Sequence, residues 1–412
     1  MTRKLGRSVL TRRKPRSAPQ PARARTRALS FPRKRPAAQG SRKRLPARVL
    51  PAPRPGLQAH ARGTVTAVPR SGAHAPYRDW PALRPGDRVA LFSPSSHQGQ
   101  APPDSIARAR EILAGWGLRP DDPAPERRHL YLAGTDAERA GEFQRLYLDR
   151  EVKALFSTRG GYGSARILPL LDRARIAAAP PKAVVGFSDV TALFAWLHWA
   201  ARVTVVHGPG LAGPGAHGVA GSSRGRSDDV AGSSRERSER APGAERSLEA
   251  LRSVLFDPHP RPGYPAELIH LPGEPRPDSV TGRLVGGSLA IVVTTLGTPW
   301  ALDTRGAILF LEDTDEAPYR IDRMLTHLRQ AGRLDGVRAV VFGYLRRCDS
   351  EPPGLLDQVL RDVFHDAPYP VATGLPAGHG DPNLPMLLGR TARLDFDARG
   401  PNTPGRAHLQ IL

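Results

Sequence analysis

Ser188 stands in Gly186-Phe187-Ser188-Asp189, where an apolar stretch that reads as a strand gives way to a helical pattern. A sharp strand-to-helix turn exposes a serine hydroxyl, and the amide that follows points toward a developing oxyanion at the helix N-terminus. The match to Gly-x-Ser-x-Gly is partial, because Val190 occupies the second glycine position. Ser188 or Asp189 also reads as a plain helix N-cap. A second segment, Arg159-Gly160-Gly161-Tyr162-Gly163, again joins strand to helix. Its glycines allow backbone to approach a bound group, or form a tight turn. A dinucleotide fingerprint fails here, since Arg166 fills the third glycine position.

The third segment, Leu311-Glu312-Asp313-Thr314-Asp315-Glu316, puts a carboxylate at the C-terminal end of a buried strand, where open α/β sheets hold their sites. Asp315 and Glu316 are also explained as acids opening a helix, and Glu312 less well. The fourth is His379 between Gly378 and Gly380, flexible positions that let a loop carry an imidazole up to a partner. No His-Glu-x-x-His pair occurs, which leaves a metal site without support. Cys348, the single cysteine, excludes an internal disulfide, and its Arg-Arg-Cys-Asp context does not make it a nucleophile by itself.

These residues need elements to hold them. Arg88 to Ser93 reads as a buried strand, and Ile106, Ala109, Leu113 and Trp116 fall on one helical face stopped by Gly117. The alternation continues with a helix at 136–148, a strand at 152–158, a helix from Ser164, a strand at 183–187, a helix at 189–199 and a strand at 203–207. Such alternation predicts a parallel sheet. After a break come Gly286-Gly287-Ser288 entering a helix, a strand at 307–311, and a helix from Pro318 with Ile321, Met324, Leu325 and Leu328 on one face. Strands at 337–344 and about 390–396 follow, with 369–374 and the His379 turn between them.

Charge sets the limits of the folded part. Of 61 Lys and Arg, 20 fall in residues 1–70, which hold no Asp or Glu, leaving 41 basic against 39 acidic side chains beyond. The net charge of +22 is therefore almost all N-terminal. Residues 1–75 are Pro-rich and lack apolar periodicity, so they are expected to be a disordered basic tail. Such a tail could bind nucleic acid or an anionic membrane by counterion release, or be a solvated extension. Residues 213–247 carry a tandem duplication, Val-Ala-Gly-Ser-Ser-Arg-Gly-Arg-Ser at 219–227 and Val-Ala-Gly-Ser-Ser-Arg-Glu-Arg-Ser at 230–238. With no apolar face to stack, they read as a flexible insertion. No apolar run spans a membrane or follows Arg12-Arg13 as an export signal, so the expected compartment is the cytoplasm.

In their order and flanking residues, the segments resemble the LD-carboxypeptidase family, or muramoyl-tetrapeptide carboxypeptidases, which includes the microcin-immunity peptidases. The resemblance rests on Arg159-Gly-Gly-Tyr-Gly163, Gly186-Phe-Ser-Asp-Val-Thr191, His207-Gly-Pro209, Leu311-Glu-Asp313 with Pro318-Tyr-Arg-Ile-Asp322, and Gly378-His-Gly380. It implies an α/β fold with an N-terminal parallel-sheet domain at 76–212, a smaller C-terminal β/α domain at 248–412, and the active site between them. It implies Ser188 as nucleophile, His379 as general base, Glu312 as the carboxylate orienting it, and the Asp189 amide with one from Gly160 or Gly161 as oxyanion hole. The implied substrate is a muropeptide, cut at the L,D bond without a cofactor. Nucleic acid and a membrane span are not expected, and a homodimer stays open. The rival readings are a microcin-immunity-like peptidase acting on peptidyl-nucleotide amides, for which Trp300 reads equally as a base-stacking residue or as core, and a nucleic-acid- or envelope-binding protein acting through the tail.

Two expected results follow. A chain lacking residues 1–75 keeps its catalytic efficiency, and loss of activity or folding would show that the tail packs on the body. Limited proteolysis cuts first between Arg224 and Arg240, and resistance there under conditions that nick the tail would contradict the reading.

Overall fold

The computed structural model describes residues 76–100, 104–122, 125, 127–212, 242–273, 278–397 and 405–412. The basic tail at 1–75 and residues 213–241 of the insertion lie outside the described residues. Residues 242–247, set aside with the insertion from their composition, are the first turns of a helix.

The first part alternates as its hydrophobic periods require. Strands β1 (Arg88–Phe92), β2 (Arg119–Pro120), β3 (Val152–Ser157), β4 (Ala183–Gly186) and β5 (Val205–His207) pair in parallel in the order β5-β4-β3-β1-β2. Between them run α1 (Ser105–Gly115), α2 (Asp136–Leu148), α3 (Ser164–Ile167), α4 (Arg173–Ala178) and α5 (Thr191–Ala201). Helix α2 starts on a capping box: the Thr135 hydroxyl accepts from the Glu138 amide, and the Glu138 carboxylate takes the Thr135 amide at 2.8 Å. Helix α5 is apolar all round, and ten of its eleven residues are buried. A helix of that kind must be covered on every side.

What covers the far side of α5 is the second part. Helix α6 (Pro242–Phe256) leads into β6 (Gly263–His270), β7 (Ser279–Ser288), α7 (Leu289–Thr294), β8 (Ala307–Thr314), α8 (Pro318–Gln330), β9 (Ala339–Arg346), α9 (Leu355–Val363) and β10 (Val371–Thr373). After these come β11 (Met386–Leu388), β12 (Thr391–Asp397) and β13 (Gly405–Ile411). Seven of the strands close a barrel in the order β10-β6-β13-β12-β7-β8-β9, in which β7, β8, β9 and β10 run parallel. Closure leaves no open edge. The expected β/α domain is thus present, with a closed barrel as its frame.

One strand does not stay with its neighbours in sequence. β11 leaves the barrel and pairs antiparallel with β5, so that Met386 faces His207 across the ladder. The Ser288 amide also donates to the Thr191 hydroxyl at 3.1 Å, tying the end of β7 to the start of α5. Both links fall at the C-terminal ends of parallel strands, the edge at which α/β sheets bind their ligands.

Candidate active site

The chain leaves β4 through an extended Phe187 and turns at Ser188, whose φ is +62°. A non-glycine residue in the left-handed region costs on the order of 1–3 kcal/mol and is held there only by its surroundings. Residues Ser188 to Val190 form one 3-10 turn before α5 begins. The N-cap reading finds no side-chain capping bond on this turn or on α5. Instead, the buried Asp189 carboxylate accepts from the Ser95 hydroxyl at 2.6 Å and the Ser164 amide at 2.8 Å. Asp189 therefore pins the loop after β1 and the start of α3 to the serine turn.

The Gly160-Gly161 loop lies against that turn. A Cβ on Gly160 would fall 2.9 Å from Ser188 Cβ and 3.1 Å from its Oγ, closer than packing permits. The amides of Gly160 and Gly161 find no acceptor among the described residues. Arg139, fully buried, donates to the carbonyls of Pro94 and Gly163 and so clamps the loop from behind. Gly160 thus packs directly against the Ser188 side chain, and Gly161 against Ser96.

Glu312 is near the end of β8 and is fully buried. Its Oε2 accepts from His379 Nδ1 at 2.6 Å and from the His379 amide at 3.1 Å. The loop reaches the strand only because residue 378 is glycine: its φ is +104°, and a Cβ would lie 2.4 Å from Glu312 Oε2. Gly378→Ala is therefore expected to displace the imidazole and lower turnover by about 10²-fold, since misplacement of a reacting group by about 1 Å costs that much. Steady-state kinetics on a folded variant checks this, and unchanged turnover would contradict it.

Burial by itself drives the Glu312 carboxyl up, but the His379 and His207 imidazoles beside it outweigh burial and hold it down at about 2. For His379 burial acts downward, and the Glu312 carboxylate outweighs it, so the imidazole titrates above its ordinary value. Asp313 is pushed up to about 6 by burial, against the amides of Ala290 and Thr314 that it accepts. It caps α7 from the strand end. Burial likewise pushes the Cys348 thiol up to about 11, which leaves it unreactive.

The edge of the His379 ring meets Phe187, the residue before Ser188, with ring centroids 5.0 Å apart. Glu312 and His379 are hydrogen-bonded, and His379 abuts the serine turn. Among the described residues no hydrogen bond joins Ser188 Oγ to His379. Trp300 packs on Trp199, near the C-terminal end of α5, with centroids 6.2 Å apart. Eight residues of helix, about 12 Å, separate Trp199 from Thr191 at the serine end.

Residues 89–208 match the family model of the LD-carboxypeptidase N-terminal domain, and residues 281–394 that of the LD-carboxypeptidase C-terminal domain. A Bacillus subtilis protein named "probable murein peptide carboxypeptidase" is 33% identical over 320 residues, 76% of this chain and 90% of that protein. The chain belongs to the LD-carboxypeptidase family. Membership brings the peptidase and hydrolase class with it. The crystal structure of muramoyltetrapeptide carboxypeptidase from Oxalobacter formigenes is similar at a TM-score of 0.61 and 26% identity, over 79% of this chain and 98% of that one. The microcin C7 self-immunity protein MccF of Escherichia coli is 26% identical over 329 residues, 76% of this chain and 92% of that protein. Its wild-type apo structure gives a TM-score of 0.64 at 25% identity, over 81% of this chain and 97% of that one. Among the described residues, no helix is long and apolar enough to cross a membrane.

Sequence reasoning missed the supports of the site. The sequence marks Asp189 for its amide or as an N-cap, whereas its carboxylate ties three segments together. Arg139 carries no signal, because an arginine in an amphipathic helix reads as surface. His207 stands in a segment that carries the family resemblance, and its place at the end of a parallel strand is a readable cue to the site.

Proposed function

We propose that this LD-carboxypeptidase is a serine enzyme that removes the terminal D-amino acid from murein-derived tetrapeptides, with Ser188 as nucleophile, His379 as base and Glu312 as its orienting carboxylate. The observation that carries the reading is the buried Glu312–His379 hydrogen bond of 2.6 Å, set against a serine turn held at positive φ. Ser188 Oγ attacks the carbonyl of the L,D bond and its proton passes to His379 Nε2. The resulting oxyanion is received by the Asp189 amide and by Gly160 or Gly161. His379 then protonates the leaving D-amino acid's nitrogen as the C–N bond breaks, leaving an acyl-Ser188 ester. Water, deprotonated by the same imidazole, hydrolyses that ester. Murein tetrapeptide is favoured as substrate by the relatives named for it, and cell-wall recycling is the corresponding role.

Trp300, the candidate for stacking on a nucleotide base, is packed on Trp199 at the end of α5 away from the serine turn. The test incubates the purified protein with muramoyl tetrapeptide and follows D-Ala by mass spectrometry. Stoichiometric release of D-Ala with loss of one residue from the peptide is expected. No release from the tetrapeptide, with cleavage of a peptidyl-nucleotide amide, would overturn the substrate assignment.

A further inference from the structure

We propose that His207 is a positioning residue for the reaction, acting through Glu312: its Nε2–H faces the carboxylate oxygen that His379 leaves open and fixes the plane of the carboxylate. The inference rests on the serine-hydrolase reading above and assigns a role within it. His207 Nε2 lies 3.4 Å from Glu312 Oε1, and both side chains are fully buried. Neither atom has a well-formed hydrogen bond to any other group among the described residues, and His207 Nδ1 has no partner there.

The surroundings of the ring are apolar. Phe310 and Phe187 meet it edge-on, with centroids at 5.2 and 6.2 Å. Burying an imidazole nitrogen without a partner costs about 1–3 kcal/mol, and an aliphatic side chain in the same slot would avoid that cost. Packing therefore gives no reason for a histidine here. The backbone of His207 does give one. Residue 207 pairs with Gly186 on β4, two positions before Ser188, and with Met386 on β11, just beyond the loop that carries His379. Its side chain then crosses to Glu312 on the barrel, so one residue is fixed relative to all three members of the proposed triad.

The chemical need is specific. Oε2 of Glu312 receives both His379 donors, while rotation about the last side-chain bond of a glutamate is soft. A second donor on Oε1 removes that freedom. When His379 takes the Ser188 proton, the carboxylate then already faces the imidazolium in the geometry that stabilises it.

The experiment compares His207→Leu, which keeps bulk and removes the donor, with His207→Gln, whose amide nitrogen reaches roughly the place of Nε2. D-Ala release gives kcat and KM, and proton NMR reports the downfield signal of His379 Nδ1–H, assigned by its loss in Glu312→Gln. The spectra are taken in a Ser188→Ala background, so they do not depend on turnover. His207→Leu is expected to lower kcat by about 10–100-fold with KM little changed, as loss of an outer-shell partner does, and to shift or broaden the signal. His207→Gln is expected to recover most of both. If the leucine variant fails to fold, His207→Asn replaces it, because the shorter amide falls short of Oε1 and is expected to behave as the leucine does. Normal kcat together with an unmoved His379 signal in the donor-less variant would overturn the proposal. Undiminished D-Ala release by Ser188→Ala would instead overturn the serine mechanism, while the NMR signal would still report whether His207 orients Glu312.

Discussion

Ser188→Ala lowers kcat/KM for D-Ala release by about 10⁴-fold or more while the protein keeps its fold, because the nucleophile is lost and only binding and the oxyanion donors remain. The backbone at this position makes a sharper statement available. Ser188 is held at φ +62°, a conformation that glycine adopts without cost. Ser188→Gly is therefore expected to be as inactive as the alanine variant and yet to unfold at a higher temperature, by an amount corresponding to about 1 kcal/mol or more of relieved strain. Calorimetry of the two variants beside the wild type checks this. A glycine variant less stable than the alanine variant would show that the serine turn stores no strain, and near-normal turnover in either would remove Ser188 from the mechanism.

Glu312→Gln is expected to lower kcat by a comparable factor, about 10⁴, since a neutral amide no longer balances the imidazolium. It also changes the pH dependence. In the wild type the carboxylate holds His379 above the ordinary imidazole value of 6.5. The base form is required for attack, so kcat/KM rises with pH through an inflection above that value, and the residual activity of Glu312→Gln inflects lower. Stability follows the same linkage with two signs. Glu312 has a depressed pKa, so its contribution is present above the unfolded carboxyl value near 4.5 and is lost as pH falls toward about 2. His379 has a raised pKa, so its contribution is complete below 6.5 and is lost as pH rises through the folded value. Denaturant titrations from pH 2 to 9 on wild type and Glu312→Gln are expected to differ most between these limits. Parallel stability curves would contradict the coupling.

The parallel sheet was legible because its strands are short, mostly apolar and separated by periodic helical segments, of which the one at 136–148 opens on a capping box. The expected helix at 136–148 coincides with α2, and the expected strand at 152–158 ends one residue beyond β3. The barrel was less legible, for two physical reasons. Strand β6 alternates buried and exposed residues but contains Pro265, which reads as a breaker, and an edge-like proline there is tolerated by its antiparallel partners. Strands β11 and β13 follow prolines, and their pairings with β5 and β6 join residues far apart in sequence. Periodicity carries no information about such contacts.

Much the same division holds for the site. The strand-end serine, the strand-end carboxylate and the glycine-flanked histidine declare themselves by type and local setting. Their mutual geometry does not, because Glu312 and His379 meet only when β8 and the loop after β10 are brought together by the barrel. The Asp189 carboxylate, Arg139 and His207 work through partners 24 to 105 residues away, which no local pattern encodes.

The most direct test of the triad is a double-mutant cycle on D-Ala release with Ser188→Ala, His379→Ala and the two combined. If Ser188 and His379 act as one unit, each single change costs about 10⁴-fold or more and the double variant is little worse than either. Losses that multiply in the double variant, or a Ser188→Ala enzyme that releases D-Ala at close to the wild-type rate, would contradict it.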